Sequence, residues 1–271
     1  FWPPNAFLFS ALILLGKKNR LKYFILIIPG LVVSELYAGY SLLSALLFTM
    51  ANSVELIFTI ITFTKLKNLK YDFKSFHNFL IVSSIIIIGS IIGGAIGAML
   101  HLGDDYLITW VKWSLGDLVA FFVITPFILT IPEWSKWLKT VGAKCIIEFS
   151  VLFSPLFLFL FALIGFKSID ISYFHGLEIL VAGFICVSAV RFGIKGATLA
   201  TLIMTLIILL MHTNGQGIFQ EIISINSTIM MQSIILLFTF LTLSLAILIE
   251  ERDRAFLRLE LTNQKLEATV R

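Results

Sequence analysis

The chain has 271 residues, 59% hydrophobic and 13% charged, with a formal net charge of +4 and a mean hydropathy of +1.00. Soluble domains carry about 25% charged residues, so a chain solvated mainly by water is excluded. The small cationic surplus points to nucleic acid only if the cations share one face, and here they do not.

A helix needs about 20 apolar residues to cross a bilayer. In chain order the runs are Trp2–Gly16, Leu21–Tyr37, Tyr40–Phe63, Phe79–Leu100, Leu107–Ile131, Cys145–Phe166, Leu177–Val190, Gly196–Met211 and Ile225–Ile249. The stretch from Leu177 to Met211 is too long for one span. Arg191, Gly193, Lys195 and Gly196 interrupt it, which predicts a tight hairpin. The expected fold is therefore all-α: a polytopic transmembrane bundle of about nine spans. Residues 1–249 are expected to form the transmembrane domain, and residues 250–271 to begin a cytoplasmic coiled-coil helix. The chain starts at Phe1, inside Phe1-Trp2-Pro3-Pro4, and is expected to be a piece of a longer protein, with no signal peptide visible.

Cations gather in alternate loops: Lys17 to Lys22, Lys65 to Lys74, Lys136 to Lys144, Arg191 with Lys195, and Arg252 to Arg271. Only Lys112 and Lys167 of the 20 fall elsewhere. The opposite loops hold Asp104, Asp105, Asp170 and Glu221. By the positive-inside rule the carboxyl end is cytoplasmic and Phe1 is outside, in a cell membrane. Trp110 and Trp113 near one end of the fifth span, and Trp134 and Trp137 past the other, occupy aromatic-belt positions. Leu12 to Lys22 and Ser188 to Gly196 both end a span with a glycine and a basic turn, which would suit a parallel internal repeat.

The fourth span carries Gly89, Gly93 and Gly97 at small-xxx-small spacing, with Gly94 beside them. Glycine lets backbones approach closely in lipid, where no hydrophobic force drives association. Internal packing and a dimer seam are both open. Glu55 lies near the middle of the third span and Asp117 near the middle of the fifth. A charged carboxylate there costs at least a few kcal/mol unless it meets a partner, a cavity or a proton. Asn52 is one turn from Glu55; Trp113, Ser114 and Gly116 surround Asp117 in sequence. The choice is between a ligand-binding or proton-sensing pocket and a satisfied interhelical hydrogen bond.

His101, His175 and His212 fall on the outer side with Asp104, Asp105 and Asp170, but without ligand spacing, so solvated loop residues are expected and no metal or other cofactor. Cys145 and Cys186 lack CxxC or histidine-linked spacing and are expected to be buried thiols. No GxSxG, HExxH or Walker A signature occurs, so no catalytic residue is assigned.

After Ile249 the chain turns charged and helix-favouring, with no glycine or proline. Phe256, Leu259, Asn263, Leu266 and Val270 recur at alternating spacings of 3 and 4. Leucine at d, with valine and one asparagine at a, is the pattern of a parallel two-stranded coiled coil. A single amphipathic helix on the membrane is the alternative. No helix breaker separates Ile249 from Glu250.

These residues together resemble the membrane-associated sensor domain of the first class, found at the amino end of bacterial histidine kinases and diguanylate cyclases. The resemblance rests on Trp2-Pro3-Pro4-Asn5 with Leu15-Gly16, Asn52 with Glu55, Trp113 to Asp117 followed by Pro126, Arg191-Phe192-Gly193, and Glu251 to Arg271. It departs at Asn5, where the family often has a small residue then Gly, and at Ala120, where a second glycine is common; both are expected to concern packing. The resemblance implies a signal-input role, a homodimer and an output enzyme beyond Arg271, this segment itself being no enzyme. Expected partners are the bilayer, a second copy, and a small ligand or membrane protein, with no nucleic acid. A small-solute transporter and an intramembrane enzyme using Glu55 and Asp117 are the competing readings.

Overall fold

The computed structural model describes residues 3–15, 20–66, 73, 75–101, 105–165, 177–214 and 226–270. Among them the elements are all helices: α1 (Pro3–Leu14), α2 (Arg20–Tyr37), α3 (Leu42–Lys65), α4 (Phe76–Leu100), α5 (Tyr106–Thr140), α6 (Ala143–Gly165), α7 (Leu177–Thr213) and α8 (Asn226–Val270). Side chains start several of them as helix-capping physics requires. Ser41 Oγ accepts from Ser44 N at 3.2 Å to open α3. Asp105 accepts from Leu107 N at 2.9 Å and Ile108 N at 3.3 Å to open α5. At the far end of α1, Arg20 Nε donates to the Leu12 carbonyl at 2.7 Å, placing a cation at a helix carboxyl terminus.

Six helices are long and apolar enough to cross a bilayer among the described residues, fewer than the nine spans expected. Three features account for the difference. Helix α1 has only 12 residues. Helix α2 has 18 residues and carries Arg20, Lys22 and Glu35. Helix α7 counts once but bends back: Gly193 has φ 59° and ψ −146°. The Cβ position of Gly196 meets the carbonyl of Ser188, which would lie about 12 Å away along a straight helix. Residues 177–192 and 194–213 are therefore the two arms of the hairpin that Gly193 and Gly196 predict. The corresponding turn of the proposed repeat, Gly16 to Asn19, lies outside the described residues, as do His175, Asp104, Asp170, Glu221 and the cations at positions 17, 18, 67, 70, 74, 167 and 271.

Helix α5 is the hub, packing on α1, α4, α7 and α8. Its most apolar window is 72% buried, against 17% for peripheral α6. Phe9, Phe79, Phe121 and Phe122 fill the centre. Phe153, Phe192 and Met204 build a second core between α6 and α7. The outward faces are apolar: Leu26, Leu43, Ile147, Val151 and Phe161 are exposed, while Asn5, Asn52, Glu55 and Asp117 are buried. This is the reverse of a soluble protein's distribution, and lipid is the solvent that suits it. The cysteines depart from expectation: Cys145 is half-buried and Cys186 exposed, since a thiol on the outer face of an apolar helix loses nothing by facing lipid.

Candidate functional site

Four glycines on α4 set the geometry of the bundle's polar centre. A Cβ at Gly93 would lie 2.8 Å from the Glu55 Cβ, and one at Gly97 would lie 2.8 Å from the Trp113 ring. Gly89 and Gly94 abut Thr59 and Ser114 in the same way. The glycine stripe thus seats α3 and α5 against α4, and it is occupied by internal packing within one chain.

That close approach brings together residues from five helices. Glu55 on α3 and Asp117 on α5 are both fully buried. Ser90 Oγ on α4 donates to Glu55 Oε1 at 2.6 Å. Asn5 Nδ2 on α1 donates to Glu55 Oε2 at 2.8 Å and to Asn52 Oδ1 at 3.0 Å. Asn52 Nδ2 donates in turn to Glu35 Oε1 on α2 at 3.2 Å. Glu55 can hold its place because donors meet both carboxyl oxygens, as a buried acid requires. Asp117 faces Glu55 and the Trp113 side chain, yet neither of its oxygens meets a donor in regular hydrogen-bond geometry, and Asn5 Oδ1 is also unpartnered. The cluster has more acceptors than donors.

Of the residues marked out by sequence, Asn52, Glu55 and Asp117 come together here. Gly116 is buried beside Asp117 on α5. Trp113 is half-buried, pressed on Gly97 and edge-on to Phe48 at 5.1 Å. Its belt companion Trp110 instead donates to the Ile91 carbonyl at 3.0 Å. His101 packs on Phe48 with ring centroids 5.8 Å apart. A separate groove of about 390 Å³, lined by Leu12, Phe24, Leu56 and Ile60, contains none of the acidic residues.

Sequence reasoning missed Asn5, Glu35 and Ser90. Asn5 is not simply a packing substitution, because its amide ties Asn52 to Glu55. The available signal was a chain of polar residues at similar depth on successive spans, but single polar residues in spans carry no address for their partner.

A second constellation lies where α8 leaves the apolar bundle. Glu250 Oε1 accepts from the Ile194 backbone N–H at 2.8 Å, at the start of the second arm of α7. Glu251 Oε2 accepts from the Phe76 N–H at 3.0 Å. The neighbouring Ser75 makes no side-chain cap for α4, so Glu251 serves as that cap from another helix. Each carboxylate sits at the positive end of a helix dipole. Gly193 is required at this contact: its φ is positive and a Cβ would strike the Glu250 carboxylate. The bend is further held by ion pairs from Arg191 to Glu148 and from Lys195 to Glu133 at 3.4 Å. The signal for the clip was two adjacent acids in a segment otherwise rich in cations.

Beyond the clip α8 continues unbroken to Val270. Phe256 (64%), Leu259 (61%) and Leu266 (59%) are exposed in the single chain, so the heptad stripe faces outward. Asn263 is exposed with them; the side chain of Val270 lies outside the described residues.

The family model MASE1 matches residues 1–253 of the chain. No curated protein matches it, and no solved structure does.

Proposed function

Because the chain belongs to the MASE1 family of membrane sensory input domains, we infer that it passes a stimulus received in the membrane to an output domain joined beyond Arg271. A histidine kinase is the favoured output, with a diguanylate cyclase as the other candidate. Nine passes follow when α1, α2 and both arms of α7 are counted as spans. With the basic turns on the inner side, the part of α8 beyond Ile249 and its continuation are expected in the cytoplasm.

The observation that carries this reading is the course of α8. It has 45 residues, or about 67 Å of helix, and runs from the apolar bundle into its exposed end without a break. The Glu250 and Glu251 contacts tie it to α7 and α4 at the exit, so rearrangement of those helices acts on the rod directly. Phe256, Leu259, Asn263, Leu266 and Val270 are proposed to pair it with a second copy, which would cover apolar side chains that otherwise face water. A small-solute transporter would use the same buried carboxylates but has no need of a projecting helix of this kind.

The test replaces Glu250 and Glu251 together with alanine, which removes both acceptors, in the intact protein and reads output activity in membranes. The expected result is a changed basal output at unchanged expression. Output identical to the parent at equal protein level would remove the clip from the signalling path.

A further inference from the structure

Five helices converge on the polar centre with a consistent imbalance. Acceptor oxygens come from Glu35, Asn52, Glu55, Asp117 and Asn5. The donors in recorded bonds are the Asn5 and Asn52 amides and the Ser90 hydroxyl. None of the bonds or ion pairs made by these residues involves lysine, arginine or histidine among the described residues. On the other side of α5, Val119 and Val123 pack against Met231 and Ile235 of α8, and the buried polar side chains there, Thr201, Thr205, Gln232 and Thr239, carry no charge.

Acceptors left over in a buried site create a demand for positive charge. Two separate groups carry the demand: both oxygens of the fully buried Asp117, and Oδ1 of the fully buried Asn5. Asp117 faces Glu55 with the Trp113 side chain beside it, a neutral donor that supplies no charge, so the missing charge belongs between the two acids. Among the described residues no three His, Cys, Asp or Glu side chains converge as a metal site would need. The donors are instead a mixture of carboxyl, amide and hydroxyl oxygens. Such hard oxygen ligands suit a hard cation and not a soft transition metal, and two facing acids without a converging third favour a small ion of single charge. The chain of bonds from Glu55 through Asn5 and Asn52 ends at Glu35, two residues before the exposed Tyr37 that closes α2. That end of the bond chain is the one nearest the α2–α3 turn in sequence.

We propose that the Asn5–Asn52–Glu55–Asp117 cluster binds one small monovalent cation, a proton or a sodium ion, reached from the α2–α3 end along Glu35. This deepens the sensory reading and rests on it only for the consequence: occupancy sets how tightly α3 and α5 close on the α4 glycine stripe, which α8 then reports. Binding itself stands or falls alone.

The test uses the full-length protein in nanodiscs of phosphatidylethanolamine and phosphatidylglycerol. Infrared difference spectra follow the protonated-carboxyl band while pH is varied, with sodium chloride exchanged for choline chloride at constant ionic strength. Sodium competing with a proton moves the pH at which the band is lost downward by about one unit per tenfold rise in sodium. A band that follows pH and ignores sodium assigns the site to a proton. In both cases Asp117→Asn and Glu55→Gln each remove part of the band, provided the variant remains helical and monodisperse; Asn5→Ala, which keeps both acids, shifts the transition. A wild-type spectrum that answers to neither pH nor sodium overturns the proposal, whatever the variants do. So does a response that persists unchanged in all three variants. Separately, cation binding without any change in output would count against the sensory role and leave the site standing.

Discussion

At the scale of residues, three of the polar centre's members were legible because charge inside an apolar run is conspicuous. Glu55 and Asp117 interrupt spans, and Asn52 shares a helix face with Glu55. Asn5, Glu35 and Ser90 escaped because pairing across helices follows from rotation and depth, which the spacing within one span does not encode. Exchanging Asp117 for Asn keeps the shape and removes the acid. The expected result is altered output from the intact protein at normal expression, checked by activity assay beside an immunoblot; unchanged output at normal level would detach Asp117 from signalling. Gly193→Ala should be worse tolerated than its size suggests. Positive φ alone costs an ordinary residue about 1–2 kcal/mol, and the new Cβ meets the Glu250 carboxylate. Thermal unfolding in detergent should therefore show a lowered Tm, with an unchanged Tm contradicting the close contact.

At the scale of elements, the apolar runs located the long spans well because solvent imposes a simple rule: backbone polar groups in lipid must be satisfied within a helix. The hairpin in α7 was readable because Arg191, Gly193, Lys195 and Gly196 break an otherwise uninterrupted apolar stretch. The two acids of the clip stand out among cations, but their partners were not readable. Nothing near Phe76 or Ile194 in sequence indicates that their N–H groups are capped by acids about 175 and 56 residues away. The heptad stripe on α8 gives a further expectation for the element alone. Asn263→Val should strengthen pairing but relax its register, because a buried asparagine enforces alignment at some cost in stability. Cysteine crosslinking along residues 256–270 should then report more than one register, whereas a single unchanged register would show that Asn263 does not set it.

At the scale of the whole molecule, one bundle holds a polar centre among α1 to α5 and a rod that leaves through contacts with α4 and α7. Composition indicated lipid as the solvent, and the exposed apolar faces agree with it. The number of passes was harder to read, since short α1, charged α2 and folded-back α7 each blur the relation between helix and span. A reporter fused after Arg271 is expected to give a cytoplasmic signal, and a signal from the opposite compartment would break the assumed orientation.

The most direct test of mechanical continuity inserts residues into α8 just after Glu251 and measures the intact protein's output against stimulus or ion state. Helix phase advances by about 100° per residue and nearly restores itself after seven. The account predicts that a seven-residue helical insertion keeps control of output, while insertions of three or four residues, or a short glycine run, abolish or invert it. Equal control through all of these insertions would contradict it.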